Sequence, residues 1–381
     1  MSKKVTFDVA GDPDVINFGI GQPSPDLLPV DLMRTASASF LNHAQPAELN
    51  YGERQGDIRF RESLAAFLGE GYFATVEPDK LLVTGGNSQA LDFVCALFTR
   101  PGDTVIVEEP SYFLAFQIFK DHGLNIVSVP VDQDGLDIGR LEEVLAKTRA
   151  KLLYTIPSYH NPSGLTMSLE RRKRLAELSR EHDFLIAADE VYQLLYYYQP
   201  PPAALGTMTG SGNILSLGSF SKIMAPGLRL GWIQTSTELM ERMIESGVIN
   251  SGGSFNHFTS HVMRHAIELG LQECFLQQLR ESYRRRVEVM DDCLHEHIGQ
   301  LASWQRPEGG YFFWLEFDES VDVAELRRHA AEFNTGFQPG SHFSAGDKLH
   351  NYMRLSFAHY TEESIAEGIK RLARLLLHVQ E

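Results

Sequence analysis

Four polar clusters in this 381-residue chain each stand directly behind a short apolar run, and their side chains are of the types that carry catalysis. Ser219-Phe220-Ser221-Lys222 follows Ile214 to Leu217. Asp189 follows Leu185 to Ala188, with Tyr192 three residues on. Asn161 follows Leu152 to Ile156 through Pro157-Ser158-Tyr159-His160, and Gly85-Gly86-Asn87-Ser88 follows Leu81 to Thr84. A lysine amine can add to a carbonyl carbon, and a carboxylate can hold a proton on a ring nitrogen. Amide and phenol groups can donate to an oxyanion, and a glycine turn opening a helix presents free N–H groups to an anion. Arg229, seven residues after Lys222, adds a guanidinium fork suited to a phosphate dianion. Singly these signals are weak, since Gly-Gly before a helix is more often a plain turn and a lone lysine more often a solvated one.

Such groups converge only if a scaffold brings the ends of the runs together. Thr104 to Val107, Ile126 to Val129, Leu152 to Ile156, Leu185 to Ala188 and Ile214 to Leu217 are short, apolar and bounded by turn residues, the pattern of buried strands in a mainly parallel sheet. Helical stripes lie between them: Phe60, Leu64, Phe67 and Leu68 behind an Asp57 cap, Gln89 to Phe98 after the Gly-Gly turn, and a further helix after Ser168. In an open sheet of this kind ligands gather beyond the carboxyl ends of the strands, where the four clusters fall. Past about residue 260 long helices dominate, Gly310 to Phe317 and Tyr352 to Phe357 read as strands, and a last helix starts at Thr361. The expected fold is α/β, with a large domain over 40–255 and a smaller α+β domain from 1–39 and 256–381.

Composition narrows the function. Lys and Arg number 34 against 50 Asp and Glu, so the formal charge of −16 repels polyanions and no nucleic-acid partner is expected. No apolar run approaches a bilayer span, so no membrane partner is expected. Cys95, Cys274 and Cys293 are an odd count without paired spacing, which points away from a disulfide framework and toward the cytoplasm. Met1 to Asp8 holds two lysines but no apolar stretch behind them, unlike a secretory signal. His257, His261 and His265 are spaced four apart without a carboxylate in register, so they read as structural and no metal is expected. Arg171-Arg172 and Arg284-Arg285-Arg286 read as solvated helix faces.

Taken together, a lysine, an acid and a phosphate cradle at neighbouring strand ends match the needs of pyridoxal 5'-phosphate. Lys222 would bond to its aldehyde and Asp189 would keep the pyridine nitrogen protonated. Tyr192 and Asn161 would donate to the ring oxygen, and Tyr112, after Glu109-Pro110-Ser111, would stack on the ring.

At these residues the chain resembles the class I/II aminotransferases of pyridoxal-phosphate fold type I, which include aspartate, aromatic and 2-aminoadipate/kynurenine aminotransferases. The matching stretches are Asn17 to Pro23, Asn50-Tyr51 to Gly56, Thr84 to Ala90, Pro157 to Gly164, Asp189 to Tyr192, Ser219 to Lys222 with Arg229 to Trp232, and Met353 to Phe357. They run in family order, 28 residues from Asn161 to Asp189 and 33 from there to Lys222. The resemblance implies a seven-stranded sheet, Lys222 as the Schiff-base lysine and Asp189 as the pyridine partner. It puts the phosphate on backbone at Asn87 and Ser88, on Ser219, Ser221 and Arg229, and on Tyr51 reaching from a second subunit, hence a homodimer with shared active sites. Arg354 would fork onto the substrate α-carboxylate, with Gly21 and Asn161 beside it. Asn87-Ser88-Gln89 departs from the Ser-Gln-Gln frequent in relatives, which leaves the side-chain contacts of the cradle open.

The implied activity is ping-pong transfer of an amino group from an L-amino acid to a 2-oxo acid. The same residues could serve a C–S lyase or a decarboxylase. A non-catalytic sensor domain of the kind fused to winged-helix regulators fits less well, because Gly21 lies so close to Met1. For the substrate side chain, Phe18, Tyr112 and Phe113 suggest an aromatic or long aliphatic pocket. Arg54 could meet a distal carboxylate but reads better as an exposed arginine at a helix start.

Overall fold

The apolar runs become central strands because alternate residues are wanted on opposite faces. Val105 and Val107, Leu152 and Tyr154, and Leu185 and Ala187 enter one core, while Ile106, Leu153, Ile186 and Ala188 enter the other. The computed structural model describes residues 14–380. Its main sheet has the strand order Leu81–Thr84, Gly231–Thr235, Ile214–Ser219, Leu185–Asp189, Ala150–Thr155, Thr104–Glu109, Asn125–Asp132 and Gly135–Leu136. Gly231–Thr235 is antiparallel to both neighbours, and the central pairs are parallel. The expected seven strands are there. The eighth, Gly135–Leu136, folds back on Asn125–Asp132 as a two-residue hairpin partner too short to leave an apolar signature.

Helices Ile138–Leu145 and Leu169–Glu181 cover one face, and Asn87–Phe98 and Phe113–Asp121 cover the other. The expected caps form: Asp57 accepts from the Phe60 N–H at 3.1 Å and Ser168 from the Arg171 N–H at 3.4 Å. A four-stranded antiparallel sheet, ordered Ala302–Ser303, Phe312–Phe317, Tyr352–Ser356 and Gln338–Pro339, belongs to the C-terminal part with the helices Leu271–His297 and Glu362–Gln380. Ile16–Asn17 pairs in parallel with Thr335–Gly336, and the Ser356 N–H donates to the Phe18 carbonyl at 2.8 Å. The residues just after Asn17 are thereby laid beside the strand that carries Arg354.

Two of the arginines expected in solvent are in the core. Arg172 is fully buried and donates to the carbonyls of Met167, Pro157 and Ala203 and to Ser158 Oγ, with Glu190 at 3.8 Å. Arg286 donates to the Ala358 carbonyl at 2.6 Å. Each lies on the inner side of its helix, where irregular backbone offers carbonyls that no strand or helix satisfies, and a five-donor fork meets several at once. Arg172→Met should therefore destabilise the protein by roughly 3–5 kcal/mol, leaving buried acceptors and Glu190 without their cation. The neighbouring Arg171→Met, which loses a half-exposed pair with Asp132 and bonds to the Gly135 and Leu136 carbonyls, should cost about 1–2 kcal/mol. Urea midpoints of the two variants measure the difference.

Candidate active site

A cavity of about 830 Å³ opens at the carboxyl ends of the central strands, under the antiparallel sheet, and gathers the predicted residues. Asp189, the last residue of its strand, is 8% exposed. Tyr154 Oη donates to its Oδ2 at 2.9 Å and Asn87 Nδ2 to its Oδ1 at 2.6 Å. Burial raises the carboxyl pKa, while these two bonds and the charge of Lys222 pull it back. Asn87 thus settles what its departure from Ser-Gln-Gln does: its amide holds Asp189 and the Leu217 carbonyl, the latter at 3.1 Å.

Lys222 lies three residues beyond the strand Ile214–Ser219, with its Nζ donating to the Gly21 carbonyl at 2.9 Å and 5.0 Å from the Tyr311 ring centroid. Burial, and then the positive charge of Arg354, lower its pKa from 10.5 to about 8, with Asp189 opposing. The proton is thus loosely held, as nucleophilic and general-base lysines require.

The proposed cradle has the right parts. Gly86, at φ +90°, stands before the helix Asn87–Phe98, and no side chain caps the first N–H groups. Arg229 adopts a left-handed backbone, φ +46°, which turns its guanidinium back so that a Cβ on Gly86 would come within 3.1 Å of Nη2. Ser219 Oγ and Ser221 Oγ are 2.9 Å apart on the same side of the cavity. Free N–H groups, two hydroxyls and a guanidinium fit a phosphate dianion, and the buried Asp189 fits a protonated ring nitrogen.

Arg354, 3% exposed, donates Nη1 to Asn161 Oδ1 and Nη2 to the Gly19 carbonyl, both at 2.9 Å. Its guanidinium lies 4.1 Å from the Phe312 ring centroid and 4.9 Å from that of Phe343. With Oδ1 engaged, the Asn161 amide keeps its N–H donors. Tyr192, whose pKa burial raises well above 10.0, stays a protonated donor, and both it and Tyr112 line the cavity.

Several expectations shift. Tyr51 lies off this cavity and is 83% exposed. Phe18 is in the core, edge-on to Tyr360, and does not shape the pocket. Arg54 is exposed and away from it. His257 and His261 meet Nε2 to Nε2 at 3.2 Å while His265 turns to Ser39, and among the described residues no three His, Cys, Asp or Glu side chains are grouped to hold a metal. Tyr154, Tyr311, Phe312 and Phe343 went unnoticed as site residues. Tyr154 alone carried a signal, sitting near the end of a strand already singled out.

The fold, a parallel sheet with a lysine, a buried acid and an anion cradle at its carboxyl ends, defines a pyridoxal-phosphate enzyme. Residues 13–372 match the family model for aminotransferase class I and II, and the chain belongs to that family. It is 34% identical to aromatic-amino-acid aminotransferase 1 of Thermococcus litoralis, over 95% of this chain and 88% of that one. It is 33% identical to the 2-aminoadipate transaminase of Thermus thermophilus, over 96% and 90%. The solved kynurenine aminotransferase of Pyrococcus horikoshii, in complex with pyridoxamine phosphate, superposes with a TM-score of 0.90 at 32% identity, covering 97% of this chain and 92% of that one. The protein is a pyridoxal-phosphate-dependent aminotransferase. Among the described residues no helix is long and apolar enough to cross a membrane.

The lowered pKa of Lys222 gives a direct test. In cofactor-free protein, labelling of Lys222 by an amine reagent, followed by peptide mapping, should be half-maximal near pH 8, well below surface lysines. Arg354→Met removes one of the two depressing influences and should move the midpoint upward.

Proposed function

We propose that both half-reactions, amino group off an L-amino acid and onto a 2-oxo acid, run in this one cavity with the following division of labour. The observation that carries the reading is that the Lys222 amine and the Arg354 fork both bond to one short segment, at Gly21 and Gly19, opposite the buried Asp189. When bound, pyridoxal phosphate supplies an electron sink for the pair left behind as the Cα–H bond breaks. Lys222 Nζ would hold the cofactor at rest, and as a free amine it would take the Cα proton and later return it. Asp189 keeps the proton on the ring nitrogen, and Asn161 and Tyr192 donate to the ring oxygen. Tyr112 covers the ring face, and Asn87 and Ser88 N–H groups, Ser219, Ser221 and Arg229 hold the phosphate. Arg354, with Gly21 and Asn161 beside it, binds the substrate α-carboxylate and orients Cα–H toward Lys222, while Phe312 and Phe343 keep water from the fork.

The cofactor-carrying unit is read as 40–255, with 14–39 and 256–380 closing over it; residues 1–13 and 381 of the expected small domain lie outside the described residues. A homodimer with shared sites is supported by apolar groups left outside the core: Tyr51 is 83% exposed, Leu49 64%, Val248 51% and Phe258 49%. Tyr51 then serves the partner's phosphate. Unpaired Cys95, Cys274 and Cys293 favour the cytoplasm.

Arg354→Lys tests the catalytic reading. A point-charge ammonium cannot reproduce the fork, so kcat/KM for the amino acid should fall roughly 10- to 100-fold or more while cofactor affinity hardly changes. Equal kinetics would remove Arg354 from the site. For the shared site, Lys222→Ala homodimers should be inactive and homodimers of a severe Tyr51 variant weak. Co-expressed heterodimers gather both lesions in one site and should recover toward half of wild-type activity per dimer. Heterodimers no better than a mixture of the two homodimers, or an active monomer in sedimentation, would overturn it.

A further inference from the structure

Lys222 and Arg354 each stand against an aromatic face, and the two faces come from neighbouring residues. Phe312 opens the strand Phe312–Phe317 and lies 4.1 Å from the Arg354 guanidinium, while Tyr311, one residue earlier, has its ring centroid 5.0 Å from Lys222 Nζ. Tyr311 is fully buried and held on several sides. Its hydroxyl donates to the Lys222 carbonyl at 3.4 Å and stands 3.3 Å from Tyr283 Oη. Tyr192 and Tyr283 pack on its ring with centroids 5.5 and 5.2 Å away, and Tyr197 donates to the carbonyl of the preceding Gly310. With the hydroxyl occupied in this way, what Nζ meets is the ring.

That ring is a neutral phenol. Burial raises Tyr311 well above 10.0 and raises Tyr192, Tyr197 and Tyr283 beside it, so no phenolate faces Nζ. The charges that do face Lys222 are Arg354, which opposes its ammonium, and Asp189, which favours it. Among the described residues Lys222 forms no ion pair, and its hydrogen bond goes to the Gly21 carbonyl. An ammonium has three donors, and the Tyr311 face gives it a second partner.

In the reaction read above, the Cα–H bond breaks, the proton makes a new N–H bond at Nζ and the electron pair stays behind. Nζ thereby passes from neutral amine to ammonium in a buried site that already holds Arg354. Only a group that favours the charged form over the neutral one assists that step. The Gly21 carbonyl can accept from either form, whereas the negative face of an aromatic ring selects the cation. Resting on the aminotransferase reading, we infer that Tyr311 is a positioning residue for proton transfer: its ring face holds the Lys222 ammonium whenever Nζ is off the cofactor.

The first test is amine-reagent labelling of Lys222 in the cofactor-free, full-length chain. Tyr311→Phe keeps the face and should keep the wild-type midpoint near pH 8. Replacing Tyr311 by a ring-trifluorinated phenylalanine keeps the volume but drains the negative face, and Tyr311→Leu removes the ring. Both should lower the midpoint by roughly 0.5–1 pH unit. A residue that merely excluded water would give the opposite sign for Tyr311→Leu, since water entering its space favours the charged amine. A midpoint that rises in Tyr311→Leu, stays put in the fluorinated variant, or falls as far in Tyr311→Phe overturns the assignment. The second test follows the holoenzyme's cofactor absorbance after mixing with L-glutamate or L-phenylalanine, with hydrogen or deuterium at Cα. The fluorinated and Leu variants should slow the half-reaction roughly 3- to 10-fold with a larger isotope effect, and Tyr311→Phe should not. Slowing without a change in isotope effect also overturns the role. If no amino acid changes the wild-type absorbance, it is the aminotransferase reading that fails; if only the labelling midpoints ignore the ring, it is the role of Tyr311.

Discussion

One buried guanidinium ties the molecule together. Arg354 bonds to Gly19, 335 residues away, and to Asn161, 193 residues away, so the start of the described chain, the loop after a central strand and the small antiparallel sheet meet at a single side chain. A cation at 3% exposure is costly unless its donors are satisfied. Phe312 and Phe343 on its faces and acceptors at its Nη1 and Nη2 offset part of that cost, while its Nε is buried without a partner among the described residues; in the proposed function the same arrangement aims the fork at a carboxylate.

The platform beneath that fork is polar and buried as well. The loop carrying Asn161 is gripped from one side by Arg172, on the Pro157 carbonyl and Ser158, and from the other by Glu108, which accepts from Thr155 and the Ile156 N–H and faces His160 at 3.1 Å. An apolar core would pack the strands equally well but could not saturate the carbonyls of an irregular loop. Fixing Asn161 in this way fixes both the Arg354 fork and the donors that remain on its amide.

Charge is distributed against the grain of the composition. In a chain of formal charge −16 the cavity is lined by five cations and one carboxylate, so field lines focus small anions into the site. Inside, the cations act on one another: Arg354 helps to depress Lys222, while the opposing pull of Asp189 is the weaker influence. Asp189 in turn stays held by Tyr154 and Asn87, which donate to its two oxygens from different elements.

The local pattern by itself determined much of this. Short apolar runs followed at once by a polar residue told where strands end, and strand ends are where an open α/β sheet puts its chemistry, so Lys222, Asp189, Asn161 and the Gly86 turn were all legible. Caps at Asp57 and Ser168 were legible for the same reason, being contacts between residues three apart. What only the tertiary structure decided are contacts whose partners lie far along the chain. The pairing of Gln338 with Arg354 sets both side chains on one face of the small sheet, and the strand Phe312–Phe317 brings Phe312 under the guanidinium. Packing likewise drew Phe18 into the core and turned Arg172 and Arg286 inward, although their neighbours in sequence read as solvated. Periodicity reports which side of its own element a residue occupies; it carries no term for what a distant element will place against that side.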